Sequence, residues 1–471
     1  MSRERPHLVR RLLVAMVCVL CVALAVLGGV VAAPDAVAGL IGAPRRSWHP
    51  GTPLAPAPPV LAAAGTTASA PTAAGLAAAL NPLLSDPALG GKTNVSVVDA
   101  VSGQRLLDRG AGEGMLPAST LKLLTAEAVL KARGGDYRLA TRAVAGPNPG
   151  EVVLVGAGDP TLGAGERRTY ADGARLDKLA DQVKQALGGT APTRVIIDTS
   201  LFGPATTGPG WDSDIVSPSG NASPISSLII NGGRTTPASP HGTSARTFTP
   251  DVDAGKAFAA ALGLPPTAVT PGTAPAGAAQ LGVVESPTIA RLVELMLVES
   301  DNVIAECLAR QVAVARNQPA TFAGAATAMR EVLAELGLAV DGLVLADGSG
   351  LSRTNRVTPA LLTDALLLAV KPDHPELRVL FPGLPVGGYS GTLRDRYHRP
   401  VGGVAAAGQV RAKTGSLSAL NAIAGIVVDA DGRPLVFAVI ASGALDGGPV
   451  PTPAQEALDR VAAGLAACGC R

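Results

Sequence analysis

Pro117-Ala118-Ser119-Thr120-Leu121-Lys122 is the stretch on which the reading of this chain turns. If residues 119–132 are helical, as the apolar run Leu121, Leu123, Leu124, Ala126, Ala128, Val129, Leu130 and the stop at Gly134-Gly135 predict, Ser119 and Lys122 lie one turn apart on one face. A serine hydroxyl is a poor nucleophile until a neighbouring base takes its proton, and a lysine desolvated by apolar surroundings can serve as that base. Taken alone, the pair would be a surface serine beside a surface lysine. Lysines are few here, however, and Lys122 alone has a serine three positions before it.

Two further polar groups stand far downstream. Ser300-Asp301-Asn302 follows an apolar helix, Leu292–Val298. Its hydroxyl could relay a proton to a leaving amine and its amide could hold a carbonyl, although Ser and Asn are also ordinary helix caps. Lys413-Thr414-Gly415-Ser416 lies on a strand, where a cation beside a hydroxyl suits a carboxylate-ended ligand. Gly415 would let an extended peptide lie close against that strand.

Outward from these segments, strands are expected at 94–100 and 105–107 around the Ser102-Gly103 turn, and at 410–415, 422–428 and 434–441, the last two joined across Asp431-Gly432. A final helix begins at Thr452, with Pro453 in its first position and Gln455 completing a capping box. The middle, 145–280, is α/β-mixed. Strands at 151–155 and 194–198 flank a helix marked by Leu176, Leu179, Val183 and Leu187. Further helices are expected at 287–297 and 303–315. The expected fold class is therefore α/β (α+β): an antiparallel sheet shared by both ends of the chain and flanked by helices, with the middle as an excursion.

The 471 residues exceed one ordinary domain. Hydrophobic residues make up 47% and charged residues 16%, which excludes a disordered chain or coiled coil. A net charge of +2 and 3% aromatic residues leave no electrostatic or stacking basis for nucleic-acid binding. Arg3, Arg5, Arg10 and Arg11 precede an uncharged apolar run, 12–33, and Ala36-Val37-Ala38 forms a small-x-small cleavage site. Residues 1–38 thus read as a signal peptide or signal anchor, placing the body outside the cytoplasm. Residues 39–74, rich in Pro and Ala, read as a linker, with folding from about Leu76. Cys307, Cys468 and Cys470 are the body's cysteines, and spacing leaves their pairing open. The body's histidines, His241, His374 and His398, are scattered and lack zinc-ligand spacing, so no zinc site is expected. Gly156-Ala157-Gly158-Asp159-Pro160-Thr161 fails as a dinucleotide loop, since Thr161 occupies the third glycine position and Pro160 would break the entering helix.

Taken together, Ser-x-x-Lys, Ser-Asp-Asn and Lys-Thr-Gly match the signature of class A β-lactamases and penicillin-binding proteins. The chain resembles the serine D-alanyl-D-alanine carboxypeptidase/endopeptidase family, the low-molecular-mass class C penicillin-binding proteins. The likeness spans about 75–465 and includes 156–162, 295–302, 347–353, 387–393 and 411–417. It implies a penicillin-binding protein/β-lactamase-like transpeptidase fold, with a catalytic domain from 75–145 and 281–471 and an inserted domain at 146–280. This insert looks short for a family with large insertions there.

The resemblance further implies Ser119 as nucleophile, Lys122 as base and Ser300 as proton relay. Asn302, Lys413, Thr414, Gly415 and Ser416 would bind substrate. The expected partners are peptidoglycan stem peptides ending in D-Ala-D-Ala, with β-lactam antibiotics as covalent inhibitors, and no metal or organic cofactor is called for. The alternatives are a β-lactamase and a non-catalytic wall-binding protein. The first needs a water-positioning glutamate that no residue here can be assigned. The second gains nothing from an activated serine.

Overall fold

A computed structural model describes residues 68–217, 220–237, 244–443 and 452–470. The expected export segment and cleavage site, and all but the last few residues of the expected linker, lie outside these residues. Among the described residues no helix is long and apolar enough to cross a membrane.

Helix α1 spans Ala73–Leu84, capped by the Thr72 hydroxyl on the Gly75 N–H. Among the described residues the first helix therefore starts slightly before the expected Leu76. Strands β1 (Lys92–Asp99) and β2 (Arg105–Arg109) follow, and the 3-10 turn Ala118–Leu121 leads into α2 (Lys122–Arg133), which stops at Gly134. The expected single helix from Ser119 is thus a 3-10 turn followed by an α-helix. The excursion runs β3 (Arg138–Ala145), β4 (Glu151–Val155), α3 (Leu176–Ala186), β5 (Arg194–Asp198), α4 (Pro250–Leu262), β6 (Val269–Pro271) and β7 (Gln280–Thr288). Then come α5 (Ile289–Val298), α6 (Asn302–Ala315), α7 (Phe322–Glu335), α8 (Pro359–Val370) and the short α9 (Leu380–Gly383). The chain closes with β8 (Arg411–Leu417), β9 (Leu420–Val428), β10 (Pro434–Ser442) and α10 (Pro453–Ala466).

Both chain ends share one antiparallel sheet, ordered β2-β1-β10-β9-β8. Central β10 is almost wholly buried because helices cover both faces, and its side chains alternate between two cores. Val436, Ala438 and Ile440 pack with the apolar faces of α2, α5, α6, α7 and α8. Leu435, Phe437, Val439 and Ala441 pack with α1 and α10. Strand β8 is the edge, which exposes one side of Lys413–Ser416 to whatever lies beside it.

The second sheet is mixed, ordered β6-β5-β4-β3-β7, with β4, β5 and β6 parallel and β3 antiparallel to both neighbours. Helices α3 and α4 are its crossovers, and Leu176, Leu179, Val183 and Phe258 pack onto Val152, Leu154, Val195 and Ile197. This sheet begins at Arg138 and ends at Thr288, reaching past the expected 146–280 at both ends. The helix expected from Pro287 starts at Ile289, since Pro287 and Thr288 still belong to β7. A fourth cluster joins Phe202, Ile215, Ala222 and Ile229 from the excursion to Val303, Cys307, Phe322 and Leu351. Cys307 is a buried free thiol there, and Cys468 is bonded to Cys470, which resolves the open pairing.

Candidate active site

The Ser119 turn is held from two sides. Ala118 takes a left-handed backbone (φ 43°), an uncommon conformation for a residue with a Cβ that concentrates at functional sites. Gly350 (φ 88°) presses so closely on it that a side chain there would meet the Ala118 carbonyl oxygen at 1.9 Å. On the other flank, a side chain at Gly415 of β8 would stand 3.1 Å from the Ser119 nitrogen.

Lys122, in the first turn of α2, is fully buried. Its Nζ donates to Ser119 Oγ at 2.8 Å, to Asn302 Oδ1 at 2.7 Å and to the Ser349 carbonyl at 2.8 Å. Burial lowers its pKa to about 8, against the opposing charges of Asp347, Asp301 and Glu306. A substantial neutral fraction of this amine, in contact with a hydroxyl, is what activation of a serine requires.

Ser300 occupies the corner between α5 and α6, again in the left-handed region (φ 55°), and its Oγ accepts from Lys413 Nζ at 2.9 Å. Lys413 also donates to the Thr414 carbonyl at 2.7 Å. It is fully buried, and burial together with the Lys122 charge holds it well below its ordinary range. Asn302 opens α6 and its amide donates to the Asn221 carbonyl at 3.0 Å, which ties the excursion to the site. The Thr414 hydroxyl meets that of Thr392 at 2.7 Å, and Ser416 donates to Asn421 Oδ1 at 2.9 Å. A cavity of about 790 Å³ is lined by Ser119, Ser300, Asn302, Thr414 and Ser416 together, so three motifs remote in sequence face one space.

Several supporting residues carry no signal at the level of motif spacing. Glu306, one turn along α6 from Asn302, accepts the N–H groups of Gly348 (3.0 Å) and Ser349 (2.8 Å), which aims the Ser349 carbonyl at Lys122. Burial and the Asp347 charge raise the Glu306 pKa to about 7, opposed by Arg310. Asp347 gathers the same loop, accepting from Gly350 (3.0 Å), Ser352 (2.7 Å), Asn355 (2.8 Å) and Trp211 Nε1 (2.8 Å). Asp301 caps α6 through Val303 and Ile304 and accepts from Tyr170 at 2.7 Å and Arg234 at 3.1 Å. Burial opposes its ionisation, but the Arg234 and Arg246 charges prevail and hold it far below the carboxylate range. The apolar pattern of α6 and the glycines of 347–350 are the available hints to these residues, and neither identifies the contact partner.

The sequence profile of the D-Ala-D-Ala carboxypeptidase 3 (S13) family matches residues 76–239 and 231–465. A protein named carboxypeptidase from Mycobacterium tuberculosis is 42% identical over 424 residues, covering 88% of this chain and 89% of that protein. Carboxypeptidase DacB of Mycolicibacterium smegmatis is 42% identical over 453 residues, covering 95% and 96%. In fold, the chain is similar to the crystal structure of penicillin binding protein 4 from Haemophilus influenzae, with a TM-score of 0.64 at 22% identity over 82% of this chain and 97% of that one.

Proposed function

The chain belongs to the D-Ala-D-Ala carboxypeptidase 3 (S13) family, and on that premise we propose how its own residues divide the reaction. The activity is hydrolysis of the terminal D-alanyl-D-alanine peptide bond by a penicillin-binding serine enzyme. Ser119 Oγ attacks the carbonyl carbon of the penultimate D-alanine while Lys122 takes the hydroxyl proton. Backbone N–H groups of Ser119 and Ser416 receive the developing oxyanion, each such donor being worth about 3–4 kcal/mol in the transition state. As the C–N bond breaks, Ser300 passes a proton to the departing amine of D-alanine. Water then hydrolyses the acyl-enzyme and restores Ser119. Lys413, with Thr414 beside it, binds the terminal carboxylate. Gly415 lets the peptide lie along the edge of β8, and Asn302 holds its backbone.

The observation that carries this reading is the 2.8 Å contact between Ser119 Oγ and the amine of a lysine with no solvent exposure. With fluorescent penicillin, the intact protein should label stably and Ser119→Ala should not label. Incubation with a stem peptide should release D-alanine, read by mass spectrometry. Rapid loss of the label with antibiotic turnover would instead establish a β-lactamase, and absence of labelling in the intact protein a binding module. Attack on a cross-linking amide bond by the same steps would make the enzyme an endopeptidase as well.

Peptidoglycan stem peptides as substrate and β-lactams as covalent inhibitors follow from the family, which acts in the cell envelope. Residues 1–38 serve in this reading as the export segment, cleaved or kept as an anchor, and the Pro- and Ala-rich stretch after them as the tether to a catalytic body into which the second sheet, with its strands from Arg138 to Thr288, is inserted. Expression with and without residues 1–38, followed by fractionation, tests the export segment directly.

A further inference from the structure

The two ends of the described chain meet at a disulfide that no step of the reaction uses. Cys468 and Cys470 are bonded with only Gly469 between them, just beyond α10. The pair lies after residue 465, the last that the family profile matches. Helix α10 begins at the cleft, where Gln455 donates to Ser416 Oγ at 3.3 Å, and its 14 residues carry the chain about 20 Å away before Cys468.

A structural staple is a poor account of this bond. A disulfide stabilises a fold chiefly by restricting the unfolded chain, and the effect grows with the loop it closes. Here the loop holds a single residue, so little freedom is removed. The ties between the tail and the body are made by main chain. The Cys470 carbonyl accepts the Thr72 N–H at 2.7 Å, which sets the cap of α1 against the tail. The Cys468 carbonyl accepts the Ala430 N–H at 3.3 Å, and the Cys468 N–H donates to the Leu465 carbonyl at 3.2 Å. A side chain at Gly75 would stand 2.6 Å from the Cys470 oxygen, so tail and helix fit closely through their backbones.

The two sulfurs are unequally placed. Cys468 is 4% exposed and belongs to the core beneath α1 and α10, whereas Cys470 is half-buried and Gly469 is exposed. Cys307, the buried free thiol, sits in a different cluster. Thiol exchange requires access to one sulfur, and disulfides within reach of solvent are the labile ones.

We propose that Cys468–Cys470 is a thiol–disulfide exchange site whose substrate is a dithiol. A thiolate of the dithiol attacks Cys470 Sγ, the bond to Cys468 breaks, and Cys468 Sγ leaves with the electron pair and takes up a proton. The second thiolate then attacks the dithiol's sulfur in that mixed disulfide, and Cys470 Sγ leaves and is protonated in turn. Two electrons and two protons pass to the cysteine pair, which ends as two thiols, while the dithiol ends as a disulfide.

The test treats the folded full chain with dithiothreitol, blocks thiols with iodoacetamide and reads the tryptic peptide 461–471 by mass spectrometry. Cys468 and Cys470 should both be alkylated, at a rate within about tenfold of that of a synthetic peptide of the same sequence, while Cys307 stays unmodified. Reduction should lower the midpoint of thermal unfolding by no more than about 3 °C. With oxidised glutathione, Cys468→Ser should form a mixed disulfide at Cys470, at least about tenfold faster than Cys470→Ser forms one at Cys468. Alkylation that appears only in denaturant, or a larger fall in the midpoint, makes the bond a staple and overturns the proposal. Equal reaction of the two variants overturns the order of attack and the proposal with it. If the variants do not fold, alkylation of the unaltered chain still decides. No carboxypeptidase substrate enters these measurements, so the outcome is independent of that reading.

Discussion

Lys122 Nζ donates to the main-chain carbonyl of Ser349, 227 positions away, at 2.8 Å. A main-chain acceptor holds the amine in place without adding a full negative charge, so it orients the base and leaves burial free to lower its pKa to about 8. That carbonyl is itself aimed by Glu306, through the Gly348 and Ser349 N–H groups.

The first prediction concerns Glu306. With Lys122 as base, acylation should rise with pH through about 8 as the amine loses its proton. Glu306, with a pKa of about 7, is largely ionised there, and its charge raises that of Lys122. Glu306→Gln keeps an oxygen for the two N–H groups but removes the charge, so the rise in kcat/KM should move to lower pH. The charged groups facing Glu306 are Asp347 and Arg310, and those acting on Lys122 are Asp347, Asp301 and Glu306 itself. A merely structural role would lower the rate without moving the profile. Penicillin acylation measured between pH 6 and 10 distinguishes the two outcomes.

Gly350 is the second point of attack. Gly350→Ala forces a Cβ into left-handed backbone, at roughly 1–2 kcal/mol, and against the Ala118 carbonyl. The turn carrying Ser119 must shift, so acylation should fall at least tenfold while most of the fold, read by circular dichroism, persists. An unchanged acylation rate would show that the turn is not held by this contact.

Lys413→Ala should raise KM for carboxylate-ended peptides by roughly 10- to 100-fold, the loss of one charge-assisted hydrogen bond. Some stability is lost with the buried side chain and its hydrogen bonds to Ser300 and the Thr414 carbonyl, but circular dichroism should still show the fold, because burial already disfavours the charge of this lysine. A variant that simply unfolds would contradict the role assigned to this lysine.

Glu127 is buried on α2 with neither carboxyl oxygen hydrogen-bonded among the described residues, and burial raises its pKa from 4.5 to about 8. The folded state holds this proton more tightly than the unfolded chain does. Its destabilising contribution is therefore smallest below about pH 4.5, grows as pH rises and levels off above about 8. Glu127→Met should raise the midpoint of thermal unfolding, by an amount equivalent to about 1–3 kcal/mol, with a larger gain at pH 8 than at pH 5. Equal gains at both pH values would contradict the account.

Much of the catalytic half is legible in the order of its residues. The three-residue step from Ser119 to Lys122, the Asp431-Gly432 turn and the Thr452–Gln455 capping box are local patterns, fixed by helical pitch and turn chemistry. The strands β3 and β7 are not legible in this way. Pairing between Arg138–Ala145 and Gln280–Thr288 is interrupted by register shifts, Pro287 lies within β7, and neither strand alternates cleanly.

The chain's own order of residues determined which side chains could act: a serine beside an amine, a distant hydroxyl and amide, and a cation on a late strand. Only the tertiary structure decided that Lys122 meets Asn302 and Ser349, that Lys413 meets Ser300, and that Arg234 meets Asp301 at the cleft wall. The reason is physical. Side chains a helical turn apart meet wherever that helix forms, whereas contacts across hundreds of positions depend on how both faces of the sheet are packed, and that packing leaves no periodic trace in the sequence.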